Sequence, residues 1–170
     1  VLDGQVHELG GLELFQYLQA IPILGNLDDA GQQVRCTTGQ AVSSPAYGNL
    51  SSLFGEIVHT VPPFMHALKW EAQLFDCYIN SFKLAFKTQR ESVASVVLGT
   101  GCRNIPFSDA ARIAAHACAQ YYAPSSSSSS SSKSSSTKDA VSNDMQGAEV
   151  HFVLREIESV SYTHLRAHET

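Results

Sequence analysis

Apolar positions recur along this chain at two spacings, three to four residues in some stretches and two in others, and their succession predicts helices interleaved with strands. LELFQYLQAI sets Leu12, Phe15, Leu18 and Ile21 on one helical face, with Gly10 and Gly11 separating it from the opening stretch. A polar stretch containing Gly25, Asn26 and Gly31 leads to VRCTTGQAV, whose β-branched residues broken by Gly39 predict strand and turn. In GEIVHTVPP the run Ile57, Val58, Thr60 and Val61 stops at Pro62 and Pro63, the pattern of a short buried strand. The longest periodic segment predicts a helix over Ala67–Lys87, with Leu68, Ala72, Phe75, Ile79, Phe82 and Phe86 at spacings of three and four. A second strand over Val93–Leu98 ends abruptly in Gly99-Thr100-Gly101. The next helix takes Ser108 as its cap and turns Ala111, Ile113, Ala114, Ala117 and Cys118 inward, side chains small enough for close approach to a sheet. Alternation returns in AEVHFVLREI, a last strand over Val150–Leu154. Such a succession defines an α/β fold whose sheet is at least partly parallel.

Two segments fall outside this pattern. Ser125–Ser136, interrupted by Lys133, has nothing apolar to bury, so 125–138 is expected to be a disordered loop insertion, an inert spacer in preference to a phosphoacceptor tract. Val160–Thr170, VSYTHLRAHET, back-translates through one codon choice into the transposon-end adapter of sequencing libraries. It is expected to be an artefact and is excluded from fold reasoning. His164 and His168 within it have the four-residue spacing of helical metal ligands, with Glu169 adjacent, but no third ligand; no metal site is expected.

Composition narrows the function classes. With 170 residues, 44% hydrophobic and 16% charged, the chain suffices for one packed domain. Its formal charge of −5 gives no global electrostatic basis for holding DNA or an anionic membrane surface, so an anionic ligand must be held by local dipoles. Cys36, Cys77, Cys102 and Cys118 are widely spaced, the usage of isolated thiols in a reducing compartment such as cytoplasm or nucleus. No apolar run is long enough to span a bilayer. A monomer without a cofactor is expected. The first residue is Val1 rather than Met, so a preceding segment is also expected.

The chemistry concentrates in LGTGCRNIPFSDAARIAA, which reads strand, glycine turn, helix. Amides freed in such a turn and the positive end of the following helix form an anion cradle, although glycine also serves such turns for steric reasons alone. Near the start, Asp3 and His7 lie one helical turn apart; on residues alone, Asp3 caps a short helix that Gly10 closes. His59, inside a strand, reads as a hydrogen-bonded structural histidine, and Cys102, without a basic partner, as a small packing residue.

Four stretches together resemble the macro domain, the module that binds ADP-ribose. LDGQVHELGG resembles G-V-D-G-x-I-H-x-x-x-G, CTTGQA resembles C-x-T-G-x-A, GEIVHTVPP resembles the strand ending I-I-H-x-V-x-P, and SVASVVLGTGCRNIPFSDAARIAA resembles the second ligand loop and its helix. They span Val1–Ala115 in the family's order, and AEVHFVL fits its final strand. The resemblance implies a three-layer α/β/α fold with a mixed central sheet, incomplete at the N-terminus, over 1–159. It implies a ligand between two loops: Leu2, Asp3, Gly4 and His7 on one side, and Gly99, Thr100, Gly101, Cys102, Arg103 and Asn104 on the other. In hydrolytic members the positions of Asp3 and His7 contribute to cleavage at the distal ribose, which implies hydrolysis of ADP-ribosyl or O-acetyl-ADP-ribose esters without a metal. The alternatives are a non-catalytic reader of ADP-ribose or ADP-ribosylated protein, and a nucleotide-phosphate binder sharing only the turn. This sequence departs from the family after Thr100-Gly101: Asn104 stands where glycine is usual, and no aromatic precedes Pro106.

Overall fold

The computed structural model describes residues 2–25, 31, 33–123 and 148–153. Its elements run α1 (Leu2–Ala20), β1 (Ala41–Pro45), a 3₁₀ turn (Gly48–Ser52), β2 (Glu56–Thr60), α2 (Trp70–Lys87), β3 (Ser92–Val96), α3 (Phe107–Tyr122) and β4 (Glu149–Val153). The Ser-rich segment 125–138 and the stretch 160–170 lie outside the described residues.

α1 extends ten residues further toward the N-terminus than the periodicity from Leu12 predicts. The two parts meet at Gly11, whose φ of 65° and ψ of −160° break the helical path in a conformation that a side chain would disfavour. The predicted apolar face is misplaced. Leu12 and Phe15 are exposed, whereas Leu14 is fully buried against Ala46 and Leu50, with Val6, Leu18 and Ile57 around them. Leu12, Leu14, Phe15 and Leu18 offer two overlapping stripes, and the tertiary contact with the 3₁₀ turn selects the one containing Leu14.

β1 pairs antiparallel with β2, Ser44 opposite Ile57 and Val42 opposite His59. β3 pairs parallel with β4, Ser92 opposite Glu149 and Val96 opposite Val153. Both pairing senses of a mixed sheet are present, in two separate two-stranded ladders among the described residues. Because side chains alternate across a strand, Ile57 packs toward α1 while Glu56 accepts hydrogen bonds from Thr88, at the end of α2, and from Arg90. Helices therefore cover both faces of β1–β2.

α2 begins at Trp70 rather than Ala67, because Lys69 takes a left-handed φ of 63° that stops the helix from extending backwards. Its buried stripe is Leu74, Cys77, Tyr78, Phe82 and Ala85, one residue out of phase with most of the predicted face; Leu68 is 86% exposed. Phe75, Ile79 and Phe86 pack at the margin. Against this stripe α3 sets Ala110, Ile113, Ala114 and Ala117, closing the larger core with Ile105. The small-residue face was expected against a sheet; it packs largely against the buried stripe of α2, with Val150 and Phe152 of β4 at the margin of the same cluster. Ser108 does not cap α3: the cap position is Pro106, whose carbonyl accepts from Ala110 N–H at 3.0 Å, and Ser108 lies within the first turn. The phenol of Tyr78 accepts a 2.8 Å hydrogen bond from Leu98 N–H and so ties α2 to the exit of β3, where the glycine turn begins.

Candidate functional site

The turn between β3 and α3 is shaped by its own backbone. Gly99 has φ 80°, and a Cβ there would stand 2.6 Å from Ile105 Cδ1, so glycine is required both by conformation and by the buried isoleucine. Ile105 N–H donates to the Gly99 carbonyl at 3.1 Å and Asn104 N–H to the Gly101 carbonyl at 3.0 Å. Asn104 itself adopts φ 59°, the left-handed geometry that Asn tolerates in place of glycine. Thr100 Oγ1 donates back to the Val97 carbonyl at 3.1 Å. These bonds leave a run of donors unused: the N–H groups of Gly99, Thr100, Gly101, Cys102 and Arg103 meet no acceptor among the described residues. Unpaired main-chain donors side by side, before the positive end of α3, suit an oxyanion. A Cβ at Gly101 would meet nothing within 4 Å, so the loop tip is open.

Cys102 is exposed on this tip, not packed as expected, because the preceding glycine turn carries it outward. The other three cysteines are partly or fully buried. Burial pushes the Cys36 and Cys77 thiols up, and Cys118 to about 11, so all three stay protonated.

The other predicted half-site sits on α1. Leu2, Asp3, Gly4 and His7 lie in the opening turns of a helix rather than in a loop, and Asp3 is inside it rather than at its cap. The i,i+4 spacing brings His7 Nε2 to 3.8 Å from Asp3 Oδ1, an ion contact longer than a hydrogen bond, with Asp3 84% exposed. A Cβ at Gly4 would meet nothing within 4 Å, so that position of the first turn faces open space. Beneath lies His59 of β2, whose Nε2 is 2.9 Å from the Oγ of fully buried Ser44. Burial lowers the His59 pKa first and the neighbouring His7 lowers it further, while Asp3 opposes both, so His59 stays below its ordinary value. That coupling places the Asp3–His7 pair within electrostatic reach of β2.

β2 and the residues that follow it run between the two predicted segments. His59 faces the pair on α1, and a few residues further along the same chain Met65 N–H donates 3.0 Å to the Arg103 carbonyl in the other loop. Arg103 Cζ lies 4.1 Å from the centroid of the Phe64 ring. Phe64 and Met65 carry no motif; the one sequence signal is the Pro62-Pro63 stop, which marks the carboxyl end of a strand, where ligands of α/β sheets collect. Two surface depressions, of about 240 and 260 Å³, lie elsewhere, around Gln19 and Arg35 and around Tyr17 and Arg90. The loop site is an open surface by comparison. His164, His168 and Glu169 lie outside the described residues.

Fold and loop define an α/β domain that offers main-chain donors at the end of a parallel strand. The chain belongs to the macro domain family, whose profile, Macro domain, matches residues 1–114. An O-acetyl-ADP-ribose deacetylase of Escherichia fergusonii is 32% identical over 122 residues, covering 71% of this chain and 63% of that protein. A macro domain-containing protein of Caldanaerobacter subterraneus is 31% identical over 127 residues, covering 74% and 66%. The chain spans 59–63% of the length of the deacetylases it matches. Among solved structures, the Oceanobacillus iheyensis macrodomain with ADP superimposes with a TM-score of 0.66 at 22% identity, covering 92% of this chain and 68% of that one. A mutant of that macrodomain with ADPR gives 0.63 at 22% identity, covering 89% and 68%. These likenesses establish the fold.

Proposed function

We propose that this chain binds ADP-ribose, free or attached to protein, and hydrolyses an ester on its distal ribose. The observation that carries the binding is the run of unpaired amides from Gly99 to Arg103, which offers a diphosphate neutral donors on a chain of net charge −5. The name of the Escherichia fergusonii relative supports the ester chemistry. Leu2, Asp3, Gly4 and His7 then border the distal end, and Gly99, Thr100, Gly101, Cys102, Arg103 and Asn104 wrap the diphosphate.

Asp3 and His7 supply the only step required of side chains. Water held by the Asp3 carboxylate adds to the ester carbonyl while its proton passes to the carboxylate or to His7 acting as base. The acyl C–O bond then breaks, and the ribose oxygen leaves with that proton, giving a carboxylic acid and ADP-ribose. A reader without turnover has one observation in its favour, the exposure of Asp3 and its 3.8 Å separation from His7.

Incubating the chain with O-acetyl-ADP-ribose and following acetate release decides between them. Asp3→Ala is expected to lower the rate about 10²- to 10⁴-fold while calorimetry shows ADP-ribose still bound. Equal rates would remove Asp3 from catalysis, and binding without turnover by the unmodified chain would establish the reader.

A further inference from the structure

Of the four arginines among the described residues, three are engaged. Arg35 donates to the Gln19 carbonyl and side chain, Arg90 pairs with Glu56, and Arg112 pairs with Glu71 and Asp109. Arg103 has no carboxylate partner, and its guanidinium donates to no acceptor among the described residues. Yet it is half-buried and held in place: its carbonyl accepts from Met65 N–H at 3.0 Å, and its Cζ lies 4.1 Å over the Phe64 ring. His66 stacks on the same ring at 5.3 Å and 23°, which restrains the ring in turn. A guanidinium laid on an aromatic face keeps its in-plane N–H fork free, and that fork matches two oxygens of a phosphate.

We propose that Phe64 is a positioning residue for ligand binding: it holds Arg103 beside the open amides of the Gly99–Arg103 loop as a pre-oriented clamp on the anionic group of the ligand. This rests on the ADP-ribose reading and adds to it a residue from the β2–α2 connection, outside both ligand loops. The loop has no aromatic immediately before Pro106. The ring of Phe64 stands beside the loop instead, spending its face on a cation.

The test is a calorimetric titration of the 170-residue chain and its variants with ADP-ribose at two salt concentrations, with adenosine, which lacks phosphate, as control. Phe64→Leu and Arg103→Gln are each expected to weaken ADP-ribose binding about threefold to tenfold. The double variant is expected to be no weaker than Arg103→Gln alone, because both changes remove one device. Phe64→Tyr should retain the affinity of the unmodified chain. Both weakened variants should show a flatter salt dependence, and adenosine binding should be unchanged. Phe64 is 42% exposed, so its replacement leaves the core filled; Arg103→Gln gives an independent reading should Phe64→Leu fold poorly. If the unmodified chain binds ADP-ribose and Phe64→Leu binds it equally well, or if the two single effects add, the clamp is wrong and the ADP-ribose reading stands. If the unmodified chain binds no ADP-ribose, both fall.

Discussion

At the scale of single residues, Gly99 and His59 make the sharpest demands. Gly99→Ala puts a methyl group 2.6 Å from Ile105 Cδ1 at a φ of 80°, so either the turn or the buried isoleucine must move. A loss of about 1–3 kcal/mol is expected, read by urea denaturation, together with weaker ADP-ribose binding; unchanged stability would show that the turn adapts freely. His59 gives a pH signature. Its folded pKa lies below the ordinary 6.5, so as pH falls from 7 the unfolded chain takes up a proton before the folded chain does. Stability therefore rises with pH through this window and is lost on acidification. Glu56 moves the same way lower down. Burial alone would raise its pKa, but hydrogen bonds from Ser43, Thr88 and Arg90 outweigh that and hold it below 4.5. The two windows are separable: His59→Gln should diminish the loss of stability that begins as pH falls below 7 and leave the loss below 4.5 intact. A His59→Gln variant with the full acid dependence would contradict the assignment.

At the scale of elements, Tyr78 joins the best helix to the strand that presents the loop. Tyr78→Phe keeps the ring in the core but leaves Leu98 N–H without its acceptor, an expected cost of about 1 kcal/mol, with faster amide exchange at Leu98. Protection at Leu98 equal to that of the parent would show that the bond contributes nothing. The elements themselves were legible to different degrees for identifiable reasons. Strands β2, β3 and β4 announce themselves through β-branched runs, and α3 through its small-residue face. AVSSP does not look like a strand, since its serines and proline follow no apolar alternation; β1 forms because β2 is there to pair with it. α1 and α2 were readable as helices but not as faces, because apolar residues occupy adjacent stripes and only the facing element chooses between them.

At the scale of the whole molecule, the proposed site is an accessible loop on an acidic chain, and its two halves are proposed from different local patterns. The glycine turn and the Asp3–His7 spacing are local patterns, visible in sequence. The contact of Arg103 with Phe64 joins segments separated by the whole of α2, and no periodicity encodes it. Nor does sequence reveal that the segment after β2 brings Met65 to the Arg103 carbonyl. A ligand gripped chiefly by main-chain amides leaves a signature that side-chain contacts do not: polarised N–H groups within the loop itself.

The most direct measurement is therefore an amide-resolved NMR titration of the isotope-labelled chain with ADP-ribose and, separately, with adenosine. The largest shifts are expected at Gly99, Thr100, Gly101, Cys102 and Arg103, the amides without acceptors, and only with the diphosphate ligand. Absent shifts at those amides, or the same shifts with adenosine, would contradict a main-chain diphosphate cradle.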